Sequence, residues 1–93
     1  MSSVDRIQVS HILVQHEYEA QDVLRKLEQG ESFGDLAAKF STCPSAKQGG
    51  DLGEFGRGRM VEAFEEAAFE LEPGARSKPV RTRFGYHIIQ RTK

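Results

Sequence analysis

Two histidines each lie in the middle of a strongly apolar segment that is typical of a β-strand. His11 belongs to the segment 7–14, and His87 belongs to the segment 86–91. Alternation with a period of two places each imidazole on the same strand face as bulky aliphatic side chains. A buried imidazole costs free energy unless it is hydrogen-bonded. If the two strands are neighbours, the rings can touch, and they are then either a functional pair or two core residues that satisfy each other.

The sequence contains a single cysteine, Cys43, in a loop directly before Pro44. A free cysteine is often a small hydrophobic residue, but an exposed one in a loop can be reactive. Beside one of the strand histidines, it could form a Cys–His nucleophilic pair. Together with those histidines and His16 it could also be imagined as a zinc ligand. No C-x-x-C or H-x-x-x-H spacing supports zinc, so we expect no metal.

A glycine-rich stretch at 49–64 contains five of the nine glycines within ten residues. Glycine loses much backbone entropy on folding, which argues against a helix at this point. The stretch also contains large apolar residues, namely Leu52, Phe55, Met60 and Phe64, which argue against a solvated linker. We therefore predict a short strand that leads into a shallow apolar pocket. The glycine spacing matches neither of the common phosphate-binding loops.

Hydrophobic periodicity predicts the elements that must position these side chains. We expect strands at 7–14, 52–55, 78–83 and 86–91, and helices at 17–29, 32–40 and 61–71, with a loop at 41–50. The order β-α-α-β-α-β-β indicates an α+β domain with a small, mostly antiparallel sheet on which the helices pack. We expect this domain to span residues 7–93 after a flexible N-terminal tail at 1–6.

The composition is that of an ordinary soluble domain. The 93 residues are 38% hydrophobic and 29% charged, which suits one domain with one modest core. A net charge of −1 argues against a nucleic-acid partner held by bulk electrostatics. No apolar run approaches transmembrane length, no signal-peptide pattern is present, and the lone cysteine fits a reducing compartment. We expect a cytoplasmic monomer that does not bind a membrane.

Several short motifs occur together in one order along the chain. They are SHILV at 10–14, FGDLA at 33–37, STCPSAK at 41–47, GDLGEF at 50–55, GRMVEAFE at 58–65, Pro79-Val80 and FGYHII at 84–89. This ordered set closely resembles the parvulin-type peptidyl-prolyl cis/trans isomerases over about residues 7–92. The resemblance implies a small single-domain parvulin, with a four-stranded antiparallel sheet surrounded by helices.

The resemblance also implies eight site residues in two groups. The catalytic group is His11, Cys43, Thr82 and His87, and the substrate-binding group is Leu52, Met60, Phe64 and Phe84. In the first group, the paired histidines would form the floor of the site, the threonine would hydrogen-bond to them, and the cysteine would face the prolyl bond. That cysteine position is Asp in some family members. In the second group, Phe84 replaces a Ser of some relatives and would widen the apolar wall of the proline pocket.

The function implied is acceleration of rotation about X-Pro bonds, without a cofactor, in assistance of protein folding. We expect no covalent intermediate, because rotation about the bond is possible without one. The substrates would be proline-containing peptides and unfolded protein segments. One alternative is a chaperone module that only holds proline-containing segments, or a domain cut from a larger chaperone. Another alternative is a thiol enzyme built on Cys43 and a histidine.

The connection after the first strand bears on substrate choice. Relatives that require a phosphorylated residue before proline present Lys and Arg from a longer loop at this point, whereas residues 7–24 here contain neither. We therefore expect an enzyme that is not phosphorylation-directed, with an apolar or basic residue before proline. Arg57 and Arg59 are the basic residues near the predicted pocket that could alter this preference.

Overall fold

Residues 6–93, the part of the chain that the computed structural model describes, form four strands, three α-helices and a short 3₁₀ helix. The strands are β1 (Arg6–Val14), β2 (Asp51–Gly56), β3 (Val80–Thr82) and β4 (Gly85–Arg91). The helices are α1 (Glu17–Glu28), α2 (Phe33–Phe40) and α3 (Glu62–Glu70), and the 3₁₀ helix is Pro44–Gln48. The predicted order of elements and the α+β class are confirmed.

The strands form one antiparallel sheet in the order β2-β1-β4-β3, so that β1 and β4 occupy its centre. In the register of the central pair, His11 lies opposite Ile89 and Leu13 lies opposite His87. The two histidines are therefore diagonal neighbours on one face of the sheet, within reach of each other.

Each face of the sheet is covered by different helices. On one face, Ile12, Val14 and Ile88 pack with apolar residues of α1 and α2. On the opposite face, Ile7, Val9 and Ile89 pack with residues of α3. Because side chains alternate along a strand, the histidines share the second face with α3. That face carries both a part of the core and the candidate site.

The ends of the predicted elements differ from the observed ones by one or two residues, and the predicted loop contains a short helix. β3 is shorter than the predicted strand at 78–83, because Pro79 has no N–H to donate and residues 83–84 turn into β4. The predicted loop at 41–50 contains a 3₁₀ helix, which begins at Pro44 where a missing N–H is harmless. Arg6, predicted to belong to the tail, pairs with β2, and residues 1–5 lie outside the described residues.

Gly50 sits where the loop before β2 passes close to β1. Its carbonyl oxygen accepts a hydrogen bond from the His11 N–H at 2.9 Å. The backbone has φ +87° at this position, and an added Cβ would lie 2.4 Å from the His11 carbonyl oxygen. A backbone atom in a central strand cannot move aside, so the site strand and this loop can approach closely only if residue 50 is glycine.

We predict that Gly50→Ala lowers the free energy of unfolding by more than about 2 kcal/mol, because strain and a backbone clash add. Gly53→Ala is the matched control, since Gly53 also has a positive φ (+74°) but no neighbour within 4 Å of an added Cβ. The control should lose only about 1 kcal/mol in urea denaturation. Equal losses would show that the approach to His11 does not constrain the fold.

Candidate active site

The two strand histidines form a directly hydrogen-bonded pair. Nδ1 of His11 lies 3.0 Å from Nδ1 of His87, and each residue is only 4% exposed. A hydrogen bond between two such nitrogens requires one ring to donate and the other to accept. The structure therefore contains the contact between the two imidazoles that period-two alternation allowed.

Thr82 extends this pair into a chain of hydrogen bonds. Its Oγ1 lies 2.7 Å from Nε2 of His87 and also accepts the N–H of Phe84 at 3.1 Å. The arrangement that satisfies the hydroxyl fully has Thr82 donating to Nε2 of His87, which then donates from Nδ1 to His11. Nε2 of His11 is buried and has no hydrogen-bond partner in the part of the chain that the structure describes. Each of the other three ring nitrogens already has a hydrogen-bond partner.

Burial also fixes the charge of the pair. Loss of hydration lowers the pKa of His11 to about 4, and repulsion from His87 adds to this effect. Loss of hydration likewise lowers the pKa of His87 to about 4. Both imidazoles are therefore neutral at pH 7, and neither is charged at the floor of the site.

An open cavity of about 490 Å³ lies above the pair. It is lined by seven of the residues assigned from the resemblance, namely His11, Cys43, Leu52, Met60, Phe64, Phe84 and His87. The eighth, Thr82, does not line the cavity but hydrogen-bonds to the histidine pair. The structure thus brings all the candidate residues together, although they come from five separate segments of the chain.

Phe64 of α3 joins the apolar part of the cavity to the histidines. Its ring is nearly perpendicular to both imidazoles, with centroid separations of 5.5 Å from His11 and 5.2 Å from His87. Edge-to-face arrangements of this kind are the favourable ones for aromatic rings. The ring of Phe55 packs behind it, at 6.3 Å between centroids. The pocket wall is therefore fixed by the same core that supports the sheet.

Cys43 is held beside the cavity by the loop that follows α2. The Ser41 hydroxyl accepts the N–H groups of Leu13, at 3.0 Å, and of Cys43, at 3.3 Å, so this loop is tied to the end of β1. Cys43 is half-buried. Within residues 6–93 its thiol makes no hydrogen bond to either imidazole of the pair. The contact that a Cys–His nucleophilic pair needs is therefore not formed.

Six further residues line the cavity without having been assigned from the sequence: Leu13, Thr42, Pro44, Arg59, Val61 and Arg83. Leu13 could have been found, because period-two alternation places it on the strand face of His11. Arg59 was noted near the predicted pocket, together with Arg57. No pattern in the sequence pointed to Arg83, which lies in the turn between β3 and β4.

Other kinds of site find no support among the described residues. His16 stacks on Tyr18 at the start of α1, with 5.2 Å between ring centroids. No group of three or more His, Cys, Asp or Glu side chains within residues 6–93 could hold a metal ion. Each helix in that range is too short or too polar to cross a membrane.

Comparisons with known proteins add independent findings. Residues 10–93 match the family model described as "Rotamase: PPIC-type PPIASE domain". The chain is 51% identical over 89 residues to the foldase protein PrsA of Bacillus subtilis strain 168. The crystal structure of PrsA from Bacillus subtilis superposes with a TM-score of 0.94 at 50% identity. The solution structure of NmPin, the parvulin of Nitrosopumilus maritimus, superposes with a TM-score of 0.89 at 46% identity.

These similar proteins differ in how much of their length is matched. The alignment with PrsA covers 95% of this chain but 30% of that protein. The matched structures of PrsA and NmPin cover 96% and 99% of this chain, and 35% and 100% of their own chains, respectively. The chain therefore spans about a third of the length of the curated relatives that it matches, and the full length of a solved parvulin.

We predict that acidification from pH 7 to pH 5 lowers the free energy of unfolding by roughly 2–4 kcal/mol. Each pair histidine has a pKa of about 4 in the folded state, below the ordinary value of 6.5, so the unfolded chain binds more protons between these values. The stabilisation that comes from keeping both histidines neutral is fully present above about pH 6.5 and is lost as the pH falls towards 4. Urea denaturation at pH 7, 6 and 5 measures the change.

His16→Asn is the matched control for this measurement, because His16 is exposed and lies outside the pair. The variant should keep the pH dependence of the unmodified chain. A free energy of unfolding that does not change between pH 7 and pH 5 would contradict a neutral, buried pair.

Proposed function

The chain belongs to the family of PPIC-type peptidyl-prolyl cis/trans isomerase domains, and we propose that the cavity above the histidine pair is where the X-Pro bond rotates. As a member of this family, the chain acts on proline-containing segments of proteins. The single observation that carries the proposed site is the position of an apolar pocket directly against a buried, neutral histidine pair.

The reaction sets the requirements that such a site must meet. Rotation about an X-Pro bond breaks amide resonance, and the barrier is ~18–20 kcal/mol. No bond to a side chain has to form or break, so the protein needs only to bind the twisted amide more tightly than the planar one. Each ~1.4 kcal/mol of this preference accelerates rotation about tenfold.

The apolar residues of the cavity suit the task of holding the proline ring while the preceding carbonyl turns. Leu52 and Met60 are half-buried and Phe64 is buried, so their side chains offer a partly desolvated surface. Methionine adapts its shape to a ligand that changes geometry. Fixing one side of the bond leaves rotation of the other side as the motion along which the reaction proceeds.

The polar residues support a non-covalent role. Three of the four ring nitrogens are used within the chain of hydrogen bonds to Thr82, and the fourth, on His11, is buried. Because Nδ1 of the neutral His11 ring accepts from His87, its Nε2 carries the proton, and no imidazole nitrogen is available to take the proton of Cys43. We propose that Cys43 faces the rotating amide as a weakly polar group, while the histidine pair keeps the floor neutral and rigid.

The identity of the substrates and the setting of the domain are part of the proposal. Unfolded protein segments are suitable substrates, because an open cavity with the exposed Phe84 at its rim admits an extended chain. The monomeric state expected from the sequence stays a prediction. The cytoplasmic location expected from the sequence stays a prediction.

We predict that Met60→Ala lowers kcat/KM by about tenfold or more, with a free energy of unfolding changed by less than about 1.5 kcal/mol. Met60 lines the cavity and is half-buried, so its loss should affect substrate more than core. Exchange NMR on a short X-Pro peptide measures the rate of cis/trans interconversion in the presence of the folded protein.

Phe40→Ala is the control for the loss of a large apolar side chain, because Phe40 is 42% exposed and lies outside this cavity. It should isomerise the peptide as fast as the unmodified chain. Full activity of folded Met60→Ala would contradict the assignment of the pocket. Absence of exchange with the unmodified chain would favour a module that only holds proline-containing segments.

A further inference from the structure

The cavity has a charge pattern that the proposed rotation of the amide does not require. Its charged lining residues, within the described part of the chain, are Arg59 and Arg83, and no Asp or Glu lines it. Both arginines are exposed, and neither forms a salt bridge within residues 6–93. The histidines of the floor are neutral, so the two guanidinium groups set the sign of the potential at the rim.

Arg59 differs from its near neighbour Arg57. The Arg57 guanidinium lies 3.6 Å from a carboxylate oxygen of Glu65 and 4.2 Å from the centre of the Phe69 ring. Glu65 also accepts a hydrogen bond from the Gly58 N–H at 2.6 Å, so its two carboxylate oxygens contact Gly58 and Arg57. Arg57 therefore contacts groups of the protein itself, whereas Arg59 lines the cavity.

Arg83 also differs from its near neighbour Arg81, because only Arg83 lines the cavity. The guanidinium of Arg83 lies 5.0 Å from the centre of the Phe84 ring, and Phe84 lines the cavity while being 52% exposed. This stacking holds the charge at the rim. Arg81 instead lies over Tyr86, which packs on the opposite face of the sheet with α1 and α2.

We propose that Arg59 and Arg83 select substrates with a carboxylate side chain, Glu or Asp, immediately before the proline. The inference rests on the proposed function: with the proline ring against the apolar residues, the preceding side chain leaves the pocket at its rim. There a carboxylate meets two cations, and arginine suits it because its planar donors match the two oxygens. A lysine before the proline meets like charge and is disfavoured.

This proposal differs from the expectation of an apolar or basic residue before proline. That expectation came from residues 7–24, which contain no Lys or Arg. The structure shows that the cations at the cavity come from two other segments, the turn before α3 and the turn before β4. The expectation of an apolar or basic residue stays a prediction, and the two arginines that line the cavity are the observation that favours a carboxylate instead.

The test compares three peptides that differ only in having Glu, Gln or Lys before the proline, at low ionic strength and by exchange NMR. We expect kcat/KM for Glu to exceed that for Gln by about fivefold, and Lys to fall below Gln. The advantage of Glu should shrink in about 0.5 M salt, where exposed charges are screened. Arg59→Gln and Arg83→Gln should each lower the Glu-to-Gln ratio.

Arg57→Gln and Arg81→Gln are the matched controls, because each removes one positive charge two residues away without altering the lining of the cavity. Both variants should show the same Glu-to-Gln ratio of kcat/KM as the unmodified chain. Equal turnover of the Glu and Gln peptides would overturn the proposal while leaving the proposed function intact, whereas no turnover of any peptide would refute that function. A gain confined to a phosphoserine peptide, with Glu and Gln equal, would also overturn it, since it would indicate a phosphate site.

Discussion

The hydrogen bond between the two Nδ1 atoms of His11 and His87, 3.0 Å long, is the interaction on which the rest of the site depends. It satisfies two polar groups that would otherwise be buried at a cost. It can form only if β1 and β4 are neighbours in the observed register, with Leu13 opposite His87. The same bond uses the ring nitrogens that would be needed for acid–base chemistry. A structural requirement of the core thus determines what the site can do chemically.

The domain is small, and one element serves both its stability and its site. Phe64 and Ala68 of α3 are buried against the sheet, while Phe64 and the preceding Met60 line the cavity. The apolar pocket is therefore supported by the same core residues that stabilise the sheet. It also means that substitutions at Phe64 affect folding and activity together, whereas Met60 reports mainly on activity.

The order of elements followed from the sequence, and most residues that line the cavity were named from its resemblance to a known family. Period-two alternation placed His11 and His87 on inner strand faces, and the spacing of apolar residues located three helices. Sequence could not supply the register that brings the rings together, because register depends on pairing between distant segments. It also gave no indication of Arg83, since the direction of a side chain in a turn follows from local hydrogen bonds such as that between Phe84 and Thr82.

The central claim is that the amide rotates without covalent chemistry, because the paired histidines leave Cys43 without a base. The most direct measurement is kcat/KM of Cys43→Asp on a neutral X-Pro peptide, together with mass spectrometry of the unmodified chain during turnover. The account predicts activity within about tenfold of the unmodified chain and no adduct on the protein. Loss of activity to the uncatalysed rate, with a covalent species on Cys43, would contradict it.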